Sequence, residues 1–582
     1  MLGDGARVYQ TTSHFEQDVL PVTAYQDPSD FWFWDSVVAE HPTHGSALLP
    51  FVLDDPMPGE VDLEVSLYGY SHSPGAIDHR AVIYLNGTPV GETSWNGSRY
   101  HRASFPVSST LLIDGENTLV VRGELPVGVS VSSFFVDSFD LSYSRLYRAV
   151  DDALVFSAAG NSVITVDGFS SSDITVFNIS SPAKPVRLTE TATANGVVTF
   201  RPDDPGGTYL ATVLSDAPSP HSIVADQPSQ LWAGSFGAEY LVIAPSTLVE
   251  AAWELADYRA GQGLSSTVVD LEDIYDQFNF GIADPNAIRR MLEHAWDGWH
   301  VRPRFVLLAG AGTLDYLDLK GLGGNLIPPI LAVGPSHLYA ADNRFADIRG
   351  EDGVPEYAIG RLPVLTPEEL QASLAKISAF ESSATLERIL FAADDPDQMG
   401  RYPNSSNTMI PLTTPSTQVE KVYLSDFTVA EARQLVLDSL DAGVGLFGYL
   451  GHAGLTSLAH ENLLTTTDVA GMSNPVPPIF AGMTCTAARF DIPGIESFAE
   501  ALLIQPGGGA VAAWSSTEMS FNREAVLLEK AFLRALYQTQ RSTLGEAILD
   551  AVTAFEATGK QPFMRDAYVV LGDPALRLPA IQ

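Results

Sequence analysis

The most constraining feature of the chain is a change of texture at about residue 226. Before it, short β-rich runs such as "VDLEVSLYGYS", "HRAVIYLNGTPV" and "IDGENTLVVRGEL" alternate with turn signals. The dipeptides Asn86-Gly87, Asn96-Gly97 and Asp114-Gly115 favour the positive φ angles of tight hairpins. After it, apolar runs ("EYLVIAP", "RFVLLAGAG", "VGLFGYLG", "PPIFAGMT", "GAVAAWSS") alternate with amphipathic patterns such as "PNAIRRMLEHAWDGW" and "TVAEARQLVLDSLDAG". A strand that is apolar at every position is buried on both faces, so this alternation predicts a mostly parallel sheet covered by helices.

The prediction is a multidomain chain: an N-terminal all-β sandwich of jelly-roll type over 1–148, a small β-domain over 149–225 and an α/β domain over 226–582. The Pro-, Ser- and Asp-rich run "SDAPSPHSIVADQPSQ" marks the last boundary. The aromatic run "FWFW" at 31–34 reads first as sheet packing and second as a platform for stacking sugars.

Charge and cysteine usage narrow the function. Acidic residues outnumber basic ones 71 to 32, a formal net charge of −39, so the chain lacks the cations that replace phosphate counterions, and nucleic acid is not an expected partner. The acids are dispersed, which suits a solvated surface in a salty or extracellular setting. One cysteine excludes an intramolecular disulfide. No run of about 18 apolar residues reads as a membrane span, and "MLGDGARVYQ" lacks the basic and apolar regions of an export signal. The expected location is extracellular or at the cell surface with the signal removed, the cytoplasm being the other reading.

That cysteine, Cys485, follows "PPIFAGMT", and His452, in "GHAG", follows "VGLFGYL". In a parallel sheet ligands bind beyond the carboxyl ends of the strands. Adjacent strands would therefore present both side chains at one edge, a thiol with an imidazole base in reach. From these residues alone the more ordinary reading is a buried thiol that happens to lie near a surface histidine. No G-x-S-x-G elbow, P-loop, H-E-x-x-H or paired C-x-x-C is present, and His452 with His460 makes only a weak zinc pattern.

Four stretches decide between the readings by likeness: "YAADNRFADIRGEDGVPEYAIGRLPV", "LFGYLGHAGLTSLAHENLLTTTDV", "PPIFAGMTCTAARFDIPGIESFAEALLIQPGGGAVAAWSS" and "YVVLGDPALRLP". From about 236 to 578 the chain resembles the gingipain-like cysteine peptidases, family C25, of the caspase-like clan. The resemblance implies an endopeptidase with Cys485 as nucleophile and His452 as general base and acid, acting through an acyl-enzyme on a protein or peptide substrate. It implies an oxyanion hole from the backbone N–H of Cys485 with that of Ala453 or Gly454, and Asp342 as the carboxylate that orients the histidine. Asp352 matches the position where arginine-specific gingipains keep an aspartate at the floor of S1, although the plainer reading of the residue is a turn aspartate before Gly353. Phe521 and Glu524 fall where the family builds another S1 wall, so a basic P1 residue is the implied preference. Related peptidases are made as precursors, which implies an activating protease or a regulatory partner.

No cofactor is required. The acids Asp342, Asp347, Glu351 and Asp352 offer a structural calcium site or, as the plainer reading, solvated carboxylates. Ala453 and Ala488 stand where the family commonly has glycine, and if position 453 requires positive φ the alanine costs about 1 kcal/mol. The competing reading is an inert peptidase-like scaffold whose β-domains bind glycan or protein.

Overall fold

The computed structural model describes residues 5–73, 77–216, 219–225 and 228–581. The chain forms two compact units, Met1–Tyr25 with Asp30–Asp226, and Gln26–Ser29 with Gln227–Gln582.

The first unit is antiparallel throughout its two large sheets. Val8–Glu16, Ser133–Leu146, Pro56–Gly69 and Tyr100–Ser108 form one sheet, with Asp35–Val38 added to Ser133–Leu146; Ser46–Leu53, Gly115–Glu124, His79–Leu85 and Thr88–Trp95 form the other. Asn86 (φ 48°) and Gly87 (φ 79°) make the two-residue hairpin between Leu85 and Thr88, the left-handed pair that this turn requires. Residues from both sheets, among them Leu49, Leu67, Ile83, Leu119 and Phe139, share one apolar core, so the sheets pack face to face. All four residues of "FWFW", Phe31 to Trp34, are buried, which is the packing reading of that run.

A second core, including Phe156, Val176, Phe200 and Tyr209, lies under the strands of the following small β-region. The two β-regions therefore have separate cores within one compact unit.

The second unit is built on a ten-stranded sheet. Its strands are β1 (Tyr240–Ala244), β2 (Ser266–Asp270), β3 (Phe305–Ala309), β4 (Ala358–Leu362), β5 (Arg388–Ala393), β6 (Gln418–Tyr423), β7 (Leu446–Leu450), β8 (Ile479–Met483), β9 (Ala512–Ser516) and β10 (Tyr568–Leu571). They lie in the order β2-β1-β3-β4-β10-β9-β8-β7-β5-β6. Every pairing is parallel except that of β9 with β10.

Alternate residues of one strand enter different cores. Phe305, Leu307 and Ala309 of β3 pack into one, Val306 and Leu308 into the other, which is why the strand is apolar without interruption. The covering helices start at recognisable caps. Thr366 accepts from the Glu369 N–H ahead of Pro367–Ser383, and Thr428 with Glu431 forms a capping box on Val429–Asp441. Among the described residues no helix is long and apolar enough to cross a membrane.

Candidate active site

Strands β7 and β8 are neighbours in register, Leu450 opposite Met483. His452 and Cys485 each follow two residues after those paired ends, so the same offset brings both out at the carboxyl edge of the sheet. The Thr484 hydroxyl donates to the Gly451 carbonyl at 2.7 Å and ties the two exits together. Both side chains line one cavity of about 530 Å3.

The sulfur is held by the loop after β9. The Ser520 N–H donates to Sγ at 3.3 Å, and Sγ lies 3.7 Å from the Ser520 carbonyl as donor. Burial pushes the thiol up; the Ser520 amide pulls the other way, and the Glu518 charge adds to the rise. The raised thiol therefore keeps its proton at neutral pH, and would need a base to act as a nucleophile.

His452 is fixed on several sides. Its Nε2 lies 2.9 Å from Asp397 Oδ2 and 3.1 Å from the Tyr402 hydroxyl, and its ring packs against that of His460 with centroids 4.4 Å apart. Its N–H donates to Asp394 Oδ2, while its carbonyl accepts from the Tyr449 hydroxyl and the Ala459 N–H. The hydrogen bond from His452 is the chief reason the Asp397 carboxyl lies below its ordinary range. Asp394 is buried, and burial raises it. With Nε2 occupied, Nδ1 is the ring nitrogen that has no hydrogen-bond partner among the described residues.

Asp397 was not a sequence candidate; Asp342 was, and here the structure corrects the expectation. Asp342 is buried in a bidentate pair with Arg361, Nε to Oδ2 at 2.6 Å and Nη2 to Oδ1 at 2.9 Å. A carboxylate committed to a buried guanidinium is not free to orient His452. Asp352 is displaced as well. It is exposed, caps the Val354 N–H within a turn at Gly353 (φ 78°) and does not line the cavity that holds Cys485. The plainer reading of that residue, a turn aspartate, is the one the geometry favours.

The four acids named for calcium are spent separately. Asp342 pairs with Arg361, Asp347 accepts from the Gly353 N–H and Glu351 lies 3.5 Å from Arg289. Among the described residues no three-acid group close enough to share an ion includes any of them.

Phe521 and Glu524 do line the cavity, Phe521 with its ring 5.9 Å from that of Phe563. Phe521 precedes the helix Asn522–Arg534, and Glu524 lies in its first turn. The backbone settles the alanine question: neither Ala453 nor Ala488 has positive φ, so neither is strained for want of a glycine, and Thr486 takes the left-handed turn with φ 44°. Of the candidate oxyanion donors, the Gly454 N–H is spent on the Ser457 carbonyl at 2.9 Å. The N–H groups of Cys485 and Ala453 donate to nothing among the described residues.

A family model described as "Peptidase family C25" matches residues 235–579. The chain belongs to this family of cysteine peptidases. Among curated relatives, gingipain R2 of Porphyromonas gingivalis is 24% identical over 361 residues, 58% of this chain and 45% of the relative, so the chain spans less than half of that protein's length. An uncharacterized Archaeoglobus fulgidus protein is 20% identical over 288 residues, 44% of this chain and 68% of the relative. The complex of Porphyromonas gingivalis RgpB pro- and mature domains superposes with a TM-score of 0.50 at 22% identity, covering 59% of this chain and 80% of that one. Dimeric latent PorU from Porphyromonas gingivalis covers 100% of this chain and 53% of its own with a TM-score of 0.60 at 16% identity. These structural likenesses show the fold.

Proposed function

We propose that the protein is a cysteine endopeptidase in which Cys485 attacks the scissile carbonyl and His452 is its base. Nδ1 takes the thiol proton as sulfur attacks, and the carbonyl oxygen, now carrying the negative charge, meets the N–H groups of Cys485 and Ala453. Nδ1 then gives that proton to the leaving amine, and water, deprotonated by the same nitrogen, hydrolyses the thioester. Asp397 and Tyr402 hold Nε2 throughout, so the imidazolium forms beside a carboxylate. No cofactor enters these steps. The observation that carries the reading is the shared cavity at the carboxyl edge, holding the thiol and a histidine anchored by Asp397.

A preference for basic P1 residues rests on Glu524, the only Asp or Glu among the residues that line the cavity. The Met519 and Phe521 side chains would pack on the aliphatic stem of such a residue. Labelling with peptidyl acyloxymethyl ketones that differ at P1 tests nucleophile and preference together. Loss of all labelling in Cys485→Ala with fastest labelling by arginine or lysine probes is expected; wild-type protein that resists every probe before and after limited proteolysis sinks the peptidase reading.

The clamp on Sγ by Ser520 favours a second element, a latent resting state relieved by an activating protease or a regulatory partner. Activity that rises after limited proteolysis supports it; full activity of the untreated chain removes it. An extracellular or cell-surface setting fits the acidic composition.

A further inference from the structure

A second cavity, of about 240 Å3, opens above the carboxyl ends of β3 and β4 and shares no residue with the first. Its mouth carries three large apolar side chains that are unusually exposed: Leu322 at 57%, Leu365 at 49% and Ile495 at 47%. Single exposed leucines are ordinary on a folded surface, but three around one cavity form a patch that water covers at a cost. On the same loop as Leu322, Leu317 and Leu319 are exposed too.

The charged residues of the cavity have one sign. Glu369, Glu496 and Glu500 line it, and no lysine or arginine does. Glu369 accepts from the Leu365 N–H and Glu500 from the Ser497 N–H, while the carboxyl of Glu496 is raised by burial and then by the charge of Glu369. Arg361, beneath Phe490 at 4.8 Å, is already neutralised by Asp342. Burial pushes Glu500 up to about 8, so it keeps its proton at neutral pH and the charge of the cavity rests on Glu369 and Glu496, which have no cation of their own within the cavity wall, while the rim beside them is greasy. Such a surface is complementary to an extended segment in which a lysine or arginine is flanked by apolar residues.

We propose that this cavity is an exosite for such a segment of a protein substrate, a proposal that rests on the peptidase reading above. The continuous stretch from Thr484 to Glu500 contributes walls to both cavities, Thr484 and Cys485 to the first and Phe490, Ile495, Glu496 and Glu500 to the second. One chain bound at the exosite would then be held close to the edge where Cys485 waits, which raises its effective concentration there.

The test uses the full chain as Cys485→Ala and a short fluorescent peptide of alternating leucine and lysine, with a leucine–glutamate peptide as counterpart, read by fluorescence polarisation. The lysine peptide is expected to bind and its counterpart to fail. Glu369→Gln with Glu496→Gln should weaken binding about tenfold, and Leu322→Asn should weaken it as well, with circular dichroism unchanged, whereas Glu524→Gln in the catalytic cavity should weaken it less than the double variant does. Equal binding of the two peptides, no binding, an unaltered affinity in the double variant, or a larger loss in Glu524→Gln than in the double variant overturns the exosite. In active protein, appending the lysine–leucine segment to a protein substrate should lower KM without changing turnover of a short reporter peptide. A cleaved reporter with an indifferent tag overturns the exosite alone, while an uncleaved reporter strikes the peptidase reading.

Discussion

Replacing Asp342 by asparagine separates a structural carboxylate from a catalytic one. The substitution keeps the size of the side chain and removes the charge opposite Arg361, which is fully buried. Two guanidinium hydrogen bonds would survive, from Nη1 to the Gly310 and Ile327 carbonyls at 2.9 and 2.8 Å. The lost pairing leaves a buried charge uncompensated, which costs about 3–5 kcal/mol, and the surviving bonds place the effect toward the lower figure. At about 2.1 cal/mol/K of unfolding entropy per residue, a unit of roughly 350 residues should melt roughly 4–7 °C lower. Differential scanning calorimetry measures the shift, and kcat/KM on a peptide well below the transition should stay within about twofold of wild type. The reasoning is refuted if the melting temperature holds while kcat/KM falls by orders of magnitude, because Asp342 would then be acting on His452 after all.

Asp397→Asn should do the reverse, lowering kcat/KM about tenfold with little change in melting temperature; the partly exposed position keeps the effect at the low end for a charge-assisted hydrogen bond. Because the folded-state pKa of Asp397 is depressed, its contribution is complete above the ordinary carboxylate value of about 3.9 and disappears only as pH falls through the depressed value. The ratio of wild-type to Asp397→Asn activity should therefore hold steady from neutral pH down to about 4 and collapse below it. The raised thiol of Cys485 predicts slow alkylation by iodoacetamide at neutral pH, with the rate still climbing near pH 9, measured by mass spectrometry; a rate already level at pH 7 would indicate a preformed thiolate. Glu524→Gln should reduce cleavage after arginine and lysine about tenfold relative to leucine, and Asp352→Asn should leave the P1 profile unaltered in a peptide library.

What could be read from the sequence depended on whether the signal was local. Doubly buried strands announce themselves because every position is apolar, and the hairpin at Asn86-Gly87 because only certain residues accept its backbone. Cys485 and His452 were legible as strand-end residues, and their adjacency needed only that two consecutive parallel strands pair. Asp397 was not legible, because it meets His452 through the placement of β5 beside β7, and strand order leaves no mark on the local pattern. The "DDPD" after β5 was a usable hint, acids at the carboxyl end of an apolar strand, but nothing tied it to the histidine. Asp342 went to the wrong partner although a local warning existed: Arg361 lies inside the apolar strand "AIGRL", and an arginine buried there demands a carboxylate.

The groups proposed for bond cleavage, from Asp394 and Asp397 through Tyr402 and His452 to Cys485, Ser520 and Glu524, all come from strands β5, β7, β8 and β9 and the loops and helix starts that follow them. The earlier strands β1 to β4 supply none of them, and act as a foundation. Inherited variation should therefore divide along the sheet: outside the second cavity, to which Leu322, Leu365 and Glu369 contribute, changes before residue 388 alter how much folded protein a cell retains, while changes in the loops that follow β5, β7, β8 and β9 alter what each folded molecule can cut.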